Sequence, residues 1–549
     1  IDASDYSGRS VSSAGDVNGD GIDDLIIGAF GADPGGRSYA GESYVVFGGS
    51  GLGAGGSMDL SALNGTNGFV CNGVAAGDQS GWSVSAAGDV NGDAIDDLII
   101  GAREAGSNPY TRTGRSYVVF GGAGVGAGGV LELSSLNGAN GFVLNGIDVN
   151  DRCGWSVSAA GDVNGDGEGD LLIGTTWADP GNRSNAGESY VIFGGPGLGA
   201  SGSMELSALN GTNGFVLNGI DINDLSGESV SCAGDVNGDG IDDLIIGAKN
   251  ADPGGETYAG ESYVVFGGGG LGASGSVDLS ALNGTNGFVL NGIDGFDLCG
   301  RSVSSAGDVN GDGIDDVIIG AHGGDPGLEN AAGESYVVFG SAGFGAGGSF
   351  DLSTLNGTNG FVLNGIDSSD FSGFCVSEAG DVNGDGIDDV IIAAYYADPD
   401  GRTFAGESYV LFGKNGASAF PASINLASLN GTNGFVLNGI DAGDESGYSL
   451  SSAGDVNGDG IDDLIIGAHQ GDPNGNSSAG ETYVVFGRAP VPCSGDTNND
   501  GCTNAADFTI LAGNFGSAVT PNTGGDLNGD GLVNAADFTI LAGDFGCGS

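Results

Sequence analysis

The chain has 549 residues, with 72 acidic side chains against 12 basic ones and a net charge of −60. This excludes nucleic acid and an anionic membrane surface as partners, because both need a basic face. Hydrophobic residues make up 39% and charged residues only 15%, so the acidity is not that of a disordered polyelectrolyte. Glycine accounts for 117 residues without a Gly-X-Y period, which excludes collagen, and the longest apolar runs (LIIGA, YVVFGG) are too short to insert into a bilayer. The chain opens at Ile1 with no signal-peptide pattern, and the expectation is a processed product or a fragment.

Read in chain order, one unit recurs. Its aspartate loop begins at Asp16, Asp89, Asp162, Asp235, Asp308, Asp381 and Asp455, at intervals of 73 residues five times and then 74. Each unit predicts four short strands: the Ser-Val-Ser stretch before the loop, DLIIGA after it, SYVVFG beyond an ADPGG turn, and GFVLNG at the end. DLIIGA and YVVFG are apolar almost continuously, so both of their faces must be covered. Stacked blades of a propeller supply that cover. A linear solenoid would need polar capping repeats, and neither terminal repeat differs from the middle ones. The predicted fold is therefore an all-β seven-bladed β-propeller with four-stranded antiparallel blades over residues 1–487, a linker at 488–495, and a small helical module at 496–549.

The loops carry the chemistry. In the first, Asp16, Asn18, Asp20, Ile22 and Asp24 occupy positions 1, 3, 5, 7 and 9. Three carboxylates, one amide oxygen and the Ile22 carbonyl form a hard oxygen cage that suits Ca²⁺ better than Mg²⁺ or zinc. The equivalent sets are Asp89, Asn91, Asp93, Ile95 and Asp97, then Asp162, Asn164, Asp166, Glu168 and Asp170, then Asp235, Asn237, Asp239, Ile241 and Asp243. They continue with Asp308, Asn310, Asp312, Ile314 and Asp316, then Asp381, Asn383, Asp385, Ile387 and Asp389, then Asp455, Asn457, Asp459, Ile461 and Asp463. The adjacent Asp23 is expected to point away from the ion. Ala94 replaces a loop glycine in the second repeat and is expected to strain that turn. Gly169 follows Glu168 in the third. The run "GxSVSSAGDVNGDGIDDLIIGA…YVVFG" resembles the FG-GAP repeat of integrin α-subunit propellers and their bacterial relatives. That resemblance implies a seven-bladed propeller with calcium sites in hairpins on one face, and adhesion or ligand binding as the role. Integrins carry such loops in only some blades, whereas all seven repeats have them here.

After Phe486 the character changes. Two copies of a second motif follow, DTNNDGCTNAADFTILAGNFG and DLNGDGLVNAADFTILAGDFG. The first supplies Asp496, Asn498, Asp500, Cys502 (by its carbonyl) and Asp507, and the second Asp526, Asn528, Asp530, Leu532 (by its carbonyl) and Asp537. This is the EF-hand loop plan with Asp at position 12. Phe508, Leu511 and Phe515, like Phe538, Leu541 and Phe545, recur at helical spacing and predict one apolar face per helix. The duplicated loop-helix resembles the type I dockerin, which implies a small α-helical calcium-binding domain whose partner is a cohesin. Ala505-Ala506 and Ala535-Ala536 stand where cellulosomal dockerins carry hydroxyl residues, which leaves a cell-surface protein or a second copy as alternative partners. In all, nine Ca²⁺ are expected, seven in the propeller and two in the tail.

The remaining motifs read as structural. Cys71, Cys153, Cys232, Cys299 and Cys375 fall at different phases of the repeat and are expected as small buried fillers, while Cys493 and Cys547 bracket the tail and suit a clasp in an oxidising compartment. The NGT at Asn64, Asn210, Asn283, Asn356 and Asn430 reads as an Asn-Gly turn before it reads as a glycosylation site. Glu42, Glu188, Glu261, Glu334, Glu407 and Glu481 recur before the third strand, with Arg115 in their place in the second repeat, and read as turn residues. His322 and His469 belong to no catalytic triad or zinc pattern. The sequence thus points away from an enzyme. It points to a secreted or cell-surface calcium-binding protein that mediates protein–protein assembly, and alternatively to a carbohydrate-binding or polysaccharide-processing protein docked through its tail. YVVFG, YVIFG or YVLFG is followed by a GFVLNG-type strand in six repeats but not in the seventh, so blade seven is expected to have three strands and an open edge, where a neighbouring copy could add head to tail into a filament.

Overall fold

The computed structural model describes residues 2–106, 111–415, 420–489, 495, 497, 505–521 and 523–544. Each predicted strand forms. In blade one they are Ser10–Gly15, Asp24–Ala29, Glu42–Val46 and Gly68–Asn72, hydrogen-bonded in that order and antiparallel. The second strand, DLIIGA, is buried along its whole length, which is the two-sided cover that its unbroken apolar run requires. Blades approach backbone to backbone: a side chain at Gly28 would meet the Gly81 carbonyl of the next blade at 2.1 Å.

The seven sheets close into a ring by repeating one set of contacts. Ser10 Oγ accepts the Val84 N–H (3.1 Å) from the neighbouring inner strand, and Ser83, Ser156, Ser229 and Ser302 do the same for the blades that follow. Between blades seven and one, Ser449 Oγ donates to the Gly8 carbonyl (2.9 Å), and the N–H groups of Ser4, Tyr6 and Ser7 bond to the carbonyls of Ser477, Ser478 and Ala479. The solenoid alternative is therefore excluded. Along the axis the inner strands leave a channel of about 230 Å³ lined from all seven blades.

The blades are not all four-stranded. Blades one to five gain a fifth, three-residue strand from the following repeat, such as Val130–Glu132, which runs parallel to Gly68–Asn72. Asn72 Nδ2 donates across this junction to Glu132 Oε1 (2.7 Å). Three residues are too few to show an alternating pattern, so this strand was not legible in the sequence. Blade six has four strands. Among the described residues blade seven has three, Ser449–Gly454, Asp463–Ala468 and Glu481–Val485. Glu481–Val485 is only half-buried along its length, unlike its counterparts.

The tail contains helices α1 (Ala505–Asn514) and α2 (Ala535–Asp544). Leu511, Leu541 and Val533 form its small core, with Val519 and Leu527 against it. The predicted apolar faces need correction. Phe508, Phe515 and Phe538 are 44%, 55% and 43% exposed, because a core this small is filled by one leucine from each helix. Phe508 and Phe538 instead meet each other, with ring centroids 6.1 Å apart. Phe545, Cys493 and Cys547 lie outside the described residues. Of the five propeller cysteines, all unpaired, Cys71, Cys153 and Cys299 are buried, whereas Cys232 and Cys375 are half-buried. Cys375 lines the channel. The NGT segments form turns: Asn64 Oδ1 accepts both the N–H and the hydroxyl of Thr66.

Candidate calcium loops and the linked ring

Each aspartate loop joins the inner strand of a blade to its second strand. Asp16 Oδ1 accepts the N–H groups of Gly19 (2.8 Å) and Asp20 (3.0 Å), and Oδ2 accepts that of Gly21 (2.7 Å). Asp20 Oδ1 in turn accepts from Ile22 (3.1 Å). The loops of Asp89, Asp162, Asp235 and Asp455 repeat the three contacts of the first aspartate. Those of Asp308 and Asp381 repeat two of them. The positive φ of Gly19 and Gly21 (77° and 88°) lets the main chain wind this tightly. Ala94 adopts the same conformation at φ 66°, which is the expected strain.

Position 9 is where the electrostatics concentrate. Asp24 is fully buried, with Oδ2 accepting from Val17 (3.2 Å) and Oδ1 from Gly48 (2.8 Å). Burial first, then the charges of Asp20 and Asp16, push its carboxyl up to about 7, against the stabilising Gly48 N–H. Asp97, Asp170 and Asp243 stand at about 7 and Asp389 at about 8, with burial again the largest cause. Asn18 Nδ2 lies 3.1–3.2 Å from both Asp24 oxygens, and a half-turn of the amide places its oxygen there instead. A buried carboxylate beside two further carboxylates, with no basic residue near, demands a counter-charge. The donors are all hard oxygens, so the sites fit Ca²⁺. Among the described residues no three acid, imidazole or thiol groups already converge on one point; the loop carboxylates are held by main-chain N–H groups.

In the tail, Asp526 Oδ1 accepts from Asp530 N–H (3.2 Å) and Oδ2 from Gly531 (2.8 Å), while Asp537 accepts from Leu527, Asn528 and Asn534. Asp526 and Asp537 are buried, and Asp530 Oδ1 caps Leu532 N–H (2.8 Å). The carboxylates of the second loop are thus held in place by main-chain N–H groups. Of the first loop only Asp507 is described, buried and accepting from Thr497 N–H (2.8 Å); Asp496, Asn498, Asp500 and Cys502 lie outside the described residues.

The residue beside the last loop ligand has a role that the spacing alone did not show. As expected, Asp23 points away from its own loop. Its Oδ2 accepts the N–H of Asp455, the first residue of the neighbouring loop, at 2.9 Å. Asp96 does the same for Asp16, Asp242 for Asp162, Asp315 for Asp235, Asp388 for Asp308, and Asp462 for Asp381, all at 2.8–2.9 Å. Consecutive loops are thereby tied together around the ring at six of seven junctions. The exception is blades two and three, where Gly169 occupies this position and makes only a main-chain bond to the Asp89 carbonyl (3.2 Å). A Cβ at Gly169 would lie 3.4 Å from its nearest neighbour, within ordinary contact. Gly169→Asp should therefore complete the ring and raise the unfolding free energy by about 1 kcal/mol, as one added hydrogen bond accepted by a carboxylate does. Denaturant titration in saturating calcium measures it, and a destabilised variant would refute the link.

At the opposite end of the channel, one variable residue from each blade surrounds the axis: Arg9, Trp82, Trp155, Glu228, Arg301, Phe374 and Tyr448. These are the residues immediately before each inner-strand serine or cysteine, and their variation within an otherwise constant repeat was the available signal. Arg103 stacks 3.0 Å from the Trp82 ring centre, and Arg9 lies over both Trp82 (4.1 Å) and Tyr448 (4.6 Å). Buried Glu228 pairs with Lys249 (2.7 Å). Burial pushes His322 and His469 down to about 3, and both face aromatic rings, Phe371 and Phe374 for the first and Tyr448 for the second. The recurrent glutamates each accept the phenol of the tyrosine two residues on, as Tyr190 to Glu188 (2.6 Å).

The fold and its loops define a calcium-loop β-propeller carrying a small EF-hand-like module. Comparison with known families places it further. The FG-GAP repeat matches residues 7–46, 80–119, 154–192, 227–265, 300–338, 378–411 and 446–485, and the dockerin type I domain matches 494–545. The chain thus carries seven FG-GAP repeats and a C-terminal dockerin type I domain. It is 31% identical over 195 residues to phosphatidylinositol-glycan-specific phospholipase D of Bos taurus, 36% of this chain and 22% of that one. It is 29% identical over 187 residues to integrin alpha-PS2 of Drosophila melanogaster (33% and 11%) and 27% over 251 to integrin alpha-5 of Xenopus laevis (45% and 20%). The matched part is thus about a fifth of the length of these relatives or less. A solved type II cohesin-dockerin domain from Bacteroides cellolosolvens is 47% identical over 10% of this chain and 90% of that one, with a TM-score of 0.10. No described helix is long and apolar enough to cross a membrane.

Proposed function

We propose that this protein is a non-enzymatic, extracellular assembly component: a calcium-stiffened propeller that presents surface, joined to a larger complex by its dockerin domain. The observation that carries this reading is the tail itself, whose second-loop carboxylates Asp526 and Asp537 are buried and held by main-chain N–H groups and whose two helices offer the exposed Phe508–Phe538 pair. A cohesin-type domain is the partner that a dockerin type I match supports. Absence of catalysis is supported by the two histidines, which burial pushes down to about 3 and which pack against aromatic rings. The resemblance to the phospholipase D covers about a fifth of that enzyme.

The full chain should bind at least one member of a panel of immobilised cohesin domains in millimolar calcium and lose it in EDTA. Phe508→Ala with Phe538→Ala should weaken capture at least tenfold while leaving the propeller melt unchanged. No capture by any cohesin, in a chain that retains its calcium, would overturn the partner. Head-to-tail self-association belongs to the same proposal and is supported by the half-buried blade-seven edge.

A further inference from the structure

The few positive charges of this chain are not spread over it. Six of its 12 basic residues, Arg9, Arg103, Arg112, Arg152, Lys249 and Arg301, gather at or directly behind the channel mouth opposite the aspartate loops. All 3 tryptophans are there as well: Trp82 and Trp155 line the mouth, and Arg152 lies over the Trp177 ring (4.7 Å). In a chain of net charge −60 such a concentration runs against the composition.

These cations outnumber the acids that face them. Glu104 is shared by Arg103 (3.8 Å), Arg112 (2.8 Å) and Arg152 (3.3 Å), and Glu228 by Lys249 (2.7 Å) and Arg301 (3.8 Å). Elsewhere Arg37, Arg183 and Arg402 each have an acid of their own. Half-buried Arg9 has neither an ion pair nor a side-chain hydrogen bond among the described residues, and two ring faces hold it, Trp82 at 4.1 Å and Tyr448 at 4.6 Å. Stacking uses the flat face of a guanidinium and leaves its N–H groups in the plane for another partner. Arg301 is stacked likewise, on Phe374 (4.3 Å). The positive field reaches the histidines: burial first, then the charges of Arg301 and Lys249, holds His322 down at about 3, and burial with Arg9 does the same to His469. Cations withdrawn from water beside one another, with too few acids, are costly until an anion joins them.

We infer that the channel mouth opposite the aspartate loops is a binding site for a small carboxylate, held by Arg9 and Arg301 beside the rings of Trp82, Phe374 and Tyr448. A carboxylate is planar and accepts two N–H groups of one guanidinium side by side. A channel of about 230 Å³ admits an acid of a few carbon atoms and not a polymer. The site owes nothing to the dockerin domain and adds a ligand to the assembly role.

Tryptophan fluorescence reads this mouth directly, since the chain has no tryptophan elsewhere. The full chain, in constant free calcium and ionic strength, should give a saturable signal with glutarate and none with uncharged glutaramide, and dialysis against ¹⁴C-glutarate should count a single molecule per chain. Arg9→Gln breaks no ion pair and should weaken binding about tenfold, as loss of a charge-assisted hydrogen bond does. Glu228→Gln removes the acid that Lys249 and Arg301 share and should tighten binding by about threefold, as relief of one partly screened charge does; it decides the matter if the first variant fails to fold. Binding of sulfate without glutarate would overturn the carboxylate. No saturable glutarate in dialysis, or an affinity that neither variant changes, would overturn the site.

Discussion

Excess EDTA should lower the melting temperature of the full chain by about 20 °C. An ion that binds only the folded state at a hundred times its Kd stabilises by about 2.7 kcal/mol. Nine loop sites together therefore supply roughly 24 kcal/mol, and a chain of this length gains about 1.1 kcal/mol of unfolding free energy per degree of cooling near its midpoint. The structure adds a reason for the effect to be collective. Asp23, Asp96, Asp242, Asp315, Asp388 and Asp462 each hold the first residue of a neighbouring loop, so a loop that loosens releases the next. Removing calcium should thus broaden the transition as well as shift it, and refilling with Ca²⁺ should restore both. Differential scanning calorimetry in EDTA that superimposes on the calcium-loaded trace would refute the assignment of all seven propeller loops.

The second large effect is expected at blade seven. Its third strand, Glu481–Val485, carries the residues that in blade six pair with Gly434–Asn438, yet among the described residues nothing pairs with its outer edge. Ser4, Tyr6 and Ser7 already bond to Ser477–Ala479 as Gly77, Gln79 and Ser80 do to Ser38–Ala40 in blade one, where that segment directly follows the outer strand. A Gly-Phe-Val-Leu-Asn-Gly extension fused ahead of Ile1 would therefore enter the open position. Burying its Phe and Leu contributes about 4 kcal/mol and its ladder bonds about 3, against at least about 6 kcal/mol for ordering six residues. The net gain is at most about 1 kcal/mol, so the melting temperature should rise by about 1 °C. The extended chain should also lose concentration-dependent self-association in sedimentation velocity, since an unpaired edge is what a second copy would pair with. An extension that leaves both readouts unchanged would show that this edge is not the docking position.

The sequence by itself determined the propeller, its seven-fold count and the place of every long strand. Apolar runs such as DLIIGA must be covered on both faces, and a 73-residue period without end caps leaves a ring as the arrangement that covers all of them. It also located the seven aspartate loops, whose first carboxylates the structure holds with main-chain N–H groups. What the tertiary structure decided lies between repeats. The parallel fifth strand is three residues long and belongs to the next blade's repeat. The Asp23–Asp455 link joins residues 432 apart, and its absence at Gly169 matters only because a neighbour's N–H sits there. Phe508 and Phe538 fit a helical apolar stripe but stay exposed, because Leu511, Val533 and Leu541 already fill the small core. Periodicity reports what each residue needs locally, whereas closing the ring decides which distant residues meet.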